Sequence, residues 1–206
     1  LQKENPHWNL KKVFERSGVY QRHIAEETET AFDLSKKACD KLFGKSDKNE
    51  IDGIIYCTQS PDHIMPPNAF LLHNTLGLSE DVFVFDFNHG CSGYIYGLAM
   101  AHSFISSGLA KKVLLVNADT YSKYINKKDR STRVLFGDGA ACSIIEKSNT
   151  LGGIIDIILA SSGKNYDKFW IPAGGMRLPK SVETSTNKAD KIGNIRSKDN
   201  ITMNGF

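Results

Sequence analysis

An α/β fold with a largely parallel sheet, covered by helices on both faces, is what this sequence predicts. Two patterns carry the expectation. Short apolar runs bounded by turn residues alternate with longer stretches of helical periodicity. Their order, strand–helix–strand–helix–strand, implies crossover connections and a sheet buried on both sides. A third observation is composition: 206 residues, 40% hydrophobic and 24% charged, can bury one large core or two small ones.

The elements follow in order. Thr30 and Asp33 form a capping-box pattern, with Asp in place of the usual Glu or Gln. Ala31, Leu34, Ala38 and Leu42 recur at helical spacing behind it, and Gly44 is expected to close the helix in the left-handed conformation. Residues 51–57 read as a buried strand. Pro61, Pro66 and Pro67 break the next stretch, and a short helix over 68–76 ends at Gly77. Residues 82–87 are dense in aromatic and β-branched side chains and predict a second strand. A helix is expected from Cys91 to Ser107-Gly108, with Cys91, Ile95, Leu98, Ala99, His102 and Ile105 sharing one face. Residues 112–118 predict a third strand, and 139–146 and 152–160 a fourth and fifth.

From residue 163 to 200 the composition shifts to Lys, Gly, Ser, Thr and Asn, with one apolar island at Phe169-Trp170-Ile171. A structureless connection of that length is a lid, a binding loop or disorder. The expected organisation is a domain over 1–160, a long polar loop or lid over 161–200, and the start of a linker at 201–206.

Several function classes are excluded by arithmetic. Net charge is +3, from 26 Lys and Arg against 23 Asp and Glu, with no dense basic block, so no nucleic-acid partner is expected. The longest aliphatic run, Val113 to Val116, is too short for a membrane span, and nothing reads as a signal peptide. The expectation is a cytoplasmic chain whose reading frame, starting at Leu1, opens inside a longer protein. The four cysteines, Cys39, Cys57, Cys91 and Cys142, contain no C-x-x-C pair, which argues against zinc and dithiol chemistry.

Cys91 differs from the others in its neighbours. It follows a predicted buried strand and opens a long helix, and Gly90, Ser92 and Gly93 leave its sulfur approachable. Free N–H groups and the positive dipole end of a helix stabilise a thiolate, and the same N–H groups can hold an oxyanion. Two readings stay open on the residues alone: a nucleophile, or a small buried Cys at a tight junction. A hydrolase elbow G-x-S-x-G ranks behind both, because His89 stands at its first Gly and no His follows His102 to complete a triad.

The segment from Phe85 to Leu98, containing Asn88-His89-Gly90-Cys91-Ser92-Gly93, resembles the nucleophile region of the β-ketoacyl-acyl-carrier-protein synthase III family in the thiolase-like superfamily. Further blocks agree in order. Arg16-Ser17-Gly18-Val19 with Arg22-His23-Ile24 resembles the family's N-terminal signature, and Pro61-Asp62-His63 with Pro66 its loop after the second strand. Asp129-Arg130-Ser131-Thr132 leading to Phe136-Gly137-Asp138-Gly139-Ala140 is similar to D-R-x-T…F-G-D-G-A, and Met203-Asn204-Gly205 to the M-x-G segment. The resemblance implies a thiolase-like fold, this chain corresponding to one half of a duplicated layered architecture. It implies an acyltransferase of fatty acid biosynthesis that loads an acyl group from acyl-CoA onto Cys91 and condenses it with malonyl-acyl carrier protein. It assigns Arg16, Arg130 and Met203 to CoA, and Met65, Tyr121 and Phe136 to the acyl pocket, with Met65 reaching across a homodimer. No metal or cofactor is implied; acyl-CoA is a substrate.

Departures are equally specific. His89-Gly90 stand where the family commonly has small apolar residues, and Lys12 stands at the spacing of its adenine-stacking aromatic, with Trp8 further away. The family's later His and Asn, which activate the malonyl group, have no counterpart in these 206 residues, so the chain by itself is expected to be inactive in condensation. Alternatives on the same fold are a thiolase or hydroxymethylglutaryl-CoA synthase, an acyltransferase of a secondary pathway, and a non-catalytic subunit for dimerisation or carrier-protein docking. An intact Cys91 favours the catalytic readings.

Overall fold

The computed structural model describes residues 1–148 and 152–204. It divides into two compact units: one of Ala25–Thr120 with Gly139–Ala160, the other of Leu1–Ile24, Tyr121–Asp138 and Ser161–Phe206.

In the first unit, α2 (Ala31–Phe43) begins at the expected capping box: Asp33 N–H donates to Thr30 Oγ1 at 3.4 Å and Thr30 N–H to the Asp33 carboxylate at 2.9 Å. Gly44 closes it in the right-handed region (φ −61°), not the left-handed one expected, with its N–H bonded to the Asp40 and Leu42 carbonyls. Strand β1 (Gly53–Cys57) follows, then α3 (Asn68–Leu76), β2 (Phe83–Phe87), α4 (Gly93–Ser106) and β3 (Lys112–Thr120). Helix α3 starts after Pro67, which has no side chain to cap with. The Asp86 carboxylate on β2 does so instead, accepting from Asn68 N–H at 2.7 Å and Ala69 N–H at 2.8 Å. Gly77 ends α3 at φ 63°, as the sequence predicts.

The sheet order is β2-β1-β3-β4, with β4 spanning Asp138–Glu146. Central β1 runs parallel to both neighbours, Ile54 opposite Val84 and Leu114. Buried on both faces, β1 reads as an unbroken apolar run. Ile54, Tyr56, Leu114 and Val116 pack with Ala31 and Cys39 of α2 and Ala69 and Leu72 of α3. The alternate residues Ile55, Val113 and Leu115 pack with Ala101 of α4, with Phe83, Phe85 and Phe104 around them.

Helix α4 meets the sheet through its small residues: Gly93, Gly97 and Ala101 are buried, and of the residues expected to share one face Leu98 and Ile105 pack half-buried against the core while Ile95 is 44% exposed. The cause is close approach: a Cβ on Gly97 would lie 2.4 Å from Leu115 Cδ1, and one on Gly93 2.4 Å from Cys57 Sγ. A helix apolar all round gives no unambiguous stripe, and the small residues decide which side meets the sheet. The expected fifth strand over 152–160 does not form: these residues lie in no strand, the sheet order ends at β4, and Ile155 and Ile158 are exposed.

The second unit holds α1 (Leu10–Ser17), capped by Asn9 and ended by left-handed Gly18, and α5 (Arg130–Arg133), capped by Asp129. The stretch expected to lack structure instead carries β5 (Phe169–Trp170), α6 (Val182–Ser185), β6 (Lys188–Ala189) and β7 (Ile195–Arg196). Strand β5 pairs antiparallel with β8 (Thr202–Met203), and β6 with β7. Polar chemistry organises this segment, which apolar periodicity could not show. Arg196 bridges the wholly buried Asp129 at 2.9 Å and Asp190 at 3.0 Å.

Candidate active site

Strand β2 ends at Phe87, and the chain turns through Asn88 to Ser92 before α4 begins. The turn is closed by Gly93 N–H donating to Gly90 C=O at 2.8 Å, and Tyr96 N–H then bonds Ser92 C=O at 3.1 Å. Cys91 sits inside this turn with its side chain exposed, whereas Cys39 and Cys57 are buried and Cys142 is half-buried. Glycine at both ends of the turn is what lets the thiol reach the surface at a helix N-terminus.

Cys39 and Cys57 are held in their protonated form, whereas the half-buried Cys142 thiol is lowered by its hydrogen bond with Cys39. Burial, with the Asp119 charge adding to it, pushes the Cys57 thiol up to about 11, while its S–H donates to His89 C=O at 3.3 Å. A hydrogen bond with Cys142, together with burial, raises the Cys39 thiol. Around the turn, His89 Nδ1 lies 3.2 Å from Ser92 Oγ, and its ring stacks on Tyr96 with centroids 4.3 Å apart. Gln59 donates to Asn88 at 3.0 Å. Beneath Gln59, Asp119 Oδ1 accepts from Thr58 and Ser60 hydroxyls and from Gln59 N–H. Met65 belongs to the same unit and is 79% exposed beside the similarly exposed Ile64.

The remaining expected site residues fall in the other unit. Tyr121 and Phe136 meet edge to face with centroids 5.7 Å apart. Phe169 joins them, at 5.3 Å from Phe136 and 6.2 Å from Tyr121, and Met203 is its strand partner. Phe169 is not among the expected site residues; its only signal in the sequence is the apolar island at 169–171. Arg16, in the last turn of α1, and Arg130, at the start of α5, are exposed, and neither has an ion pair among the described residues. Trp8 is buried and offers no stacking face, whereas Lys12 is exposed. Of the M-x-G segment, Gly205 lies outside the described residues.

Two signature blocks prove to be one structural joint. Arg22 donates to Phe136 C=O at 2.7 Å, and Asp138 N–H to His23 C=O at 2.8 Å. Asp138 in turn accepts from Ser122 N–H at 2.8 Å and Ser122 Oγ at 2.6 Å. Gly137 is obligatory there, since a Cβ would stand 2.8 Å from His23 C=O. Among the described residues no group of three or more His, Cys, Asp or Glu could hold a metal ion, and no helix is long and apolar enough to cross a membrane.

The parallel strands β2-β1-β3, with an exposed cysteine where β2 leads into the N-terminus of α4, fit a thiolase-like protein, and comparison with known proteins gives that class. The family model for 3-oxoacyl-[acyl-carrier-protein (ACP)] synthase III matches residues 85–163, which include the cysteine turn. A Campylobacter jejuni relative is 39% identical over 198 residues, 95% of this chain and 55% of its own length. The β-ketoacyl-[acyl-carrier-protein] synthase III of Clostridioides difficile is 39% identical over 171 residues, 82% of this chain and 52% of that protein. A crystal structure of a 3-oxoacyl-(acyl-carrier-protein) synthase III superposes with a TM-score of 0.94 at 38% identity, covering 99% of this chain and 61% of that one. The Thermus thermophilus β-ketoacyl-[acyl carrier protein] synthase III gives 0.79 at 31%, over 97% and 58%. The chain belongs to the β-ketoacyl-acyl-carrier-protein synthase III family. It spans about half the length of the curated relatives it matches.

Proposed function

We propose that this chain carries the acyl-accepting half of a 3-oxoacyl-[acyl-carrier-protein] synthase III reaction, an acyltransferase step of fatty acid biosynthesis. Cys91 attacks the thioester carbonyl of acyl-CoA, forming an acyl-cysteine and releasing the CoA thiol. Condensation with malonyl-acyl carrier protein then expels carbon dioxide. The observation that carries the reading is the exposed thiol of Cys91 on a glycine-bounded turn at the start of α4.

Roles for the other residues follow from the family resemblance and are supported by their settings. Arg16 and Arg130 are exposed guanidinium groups with no ion pair among the described residues, suited to the phosphates of CoA, and the resemblance adds Met203 on β8. Tyr121 and Phe136, with Phe169 added, supply an aromatic wall for the acyl chain. Met65 with Ile64 forms an exposed apolar tip that suits a homodimer contact, in a cytoplasmic protein.

Two assays test the reading. Incubation with radiolabelled acyl-CoA should leave label on the protein and none on Cys91→Ala. With malonyl-acyl carrier protein added, the 206-residue chain alone should give no β-ketoacyl product, since no His follows His102 to act as a second donor. Label on the Ala variant would overturn the role of Cys91. Cys91-dependent β-ketoacyl product would show that the donors for condensation lie within these residues.

A further inference from the structure

Ser92 stands at the N-cap of α4, where a serine hydroxyl ordinarily accepts from an amide of the first turn. It makes no such bond, and its backbone is right-handed (φ −84°, ψ −2°) rather than extended. The hydroxyl instead faces the imidazole of His89, with Oγ 3.2 Å from Nδ1. That ring is fixed from two further directions: stacked on Tyr96 at an interplanar angle of 29°, and edge-on to Phe87 with centroids 6.4 Å apart. The amides of Tyr94 and Ile95, which a capping serine would engage, find no acceptor among the described residues. Cys91 immediately precedes the cap.

We infer that His89 is a positioning residue: by holding the Ser92 hydroxyl on the imidazole, it keeps the first-turn amides of α4 open to negative charge developing at Cys91. Either ring tautomer serves, since Nδ1 can accept from the hydroxyl or donate to it. Loss of the imidazole nitrogen frees the hydroxyl, and once Ser92 turns to the extended backbone that capping needs it occupies a first-turn amide and blunts the positive end of the helix. The inference rests on Cys91 being a nucleophile. It accounts for a histidine at a position where the rest of the turn is small.

The test is the second-order rate of iodoacetamide alkylation at Cys91, read by peptide mass spectrometry on the full chain. His89→Phe keeps the ring contacts and removes the nitrogen. It should slow alkylation about two- to fivefold, the size of a charge interaction at a helix terminus. Ser92→Ala alone should react at close to the wild-type rate, because no hydroxyl remains to cap. The double variant His89→Phe/Ser92→Ala should therefore recover that rate, and His89→Asn, which keeps a polar atom near the place of Nδ1, should match wild type. A His89→Phe rate equal to wild type, or a double variant as slow as His89→Phe, overturns the inference. If the Phe ring prevents folding, His89→Ala with and without Ser92→Ala gives the same comparison. Iodoacetamide reads only the thiol, so failure of acyl-CoA to load wild-type protein would overturn the acyltransferase reading and leave this one standing.

Discussion

Arg196→Ala should cost the second unit more than any surface ion pair does. The Arg196 side chain is 13% exposed and that of Asp129 is wholly buried; Asp190 is 27% exposed. Removing the guanidinium leaves one carboxylate with no solvent and the other with little, and breaking a buried pair this way costs about 3–5 kcal/mol. Ser131 N–H and Oγ still bond Asp129, at 2.9 Å and 2.5 Å, which places the expected loss toward the lower figure. For a chain of this size each kcal/mol shifts the melting temperature by about 2–4 °C, so the drop should be on the order of 10 °C. Lys36→Ala is the control. Its i,i+4 partner is Asp40, with both side chains about half exposed, and such pairs contribute about 0.3–0.5 kcal/mol. Asp129 also caps α5, which begins at Arg130, so under the role proposed for Arg130 the Arg196→Ala variant should also bind acyl-CoA more weakly. Calorimetry of both variants decides the matter. If Arg196→Ala melts within a degree of Lys36→Ala, the buried network does not organise this segment.

Three further outcomes follow from the geometry. Limited iodoacetamide should label Cys91 first and Cys39 last; preferential labelling of Cys39 in the folded chain would contradict the exposure order. Gly97→Val should destabilise by about 1–3 kcal/mol in urea titration, because Leu115 is wholly buried and has no room to yield; unchanged stability would mean α4 can move off the sheet. Burial holds the Asp119 carboxyl above its ordinary range despite three hydrogen bonds to Oδ1. A group raised in the folded state contributes full stability below its unfolded pKa and loses it as pH rises through the folded one. Asp119→Asn can still accept at Oδ1, so urea midpoints across acid pH should show a smaller loss with rising pH than wild type; identical slopes would refute the cause assigned.

The sheet unit was legible because its signals are local. The Thr30 capping box, the unbroken apolar run of β1 and left-handed Gly77 each follow from neighbouring residues alone. The contact face of α4 was not, since Gly97 meets Leu115 only in the packed structure. Polar order in the second unit escaped for a similar reason. The charges that join β7 to α5 lie 67 positions apart, and no periodicity links Asp129 to Arg196. At the candidate site, the glycines and the preceding strand singled out Cys91 but left nucleophile and buried thiol both open, and only the family resemblance chose between them. Phe169 was visible only as an apolar island, because its packing on Phe136 and pairing with Met203 are long-range.

Peptide-resolved mapping of all four cysteines after exposure to acyl-CoA tests the central claim most directly. A hydroxylamine-sensitive acyl group on the Cys91 peptide, absent from those bearing Cys39, Cys57 and Cys142, is the expected result. Acylation confined to another cysteine, or none on Cys91 while iodoacetamide still labels it, would contradict the account.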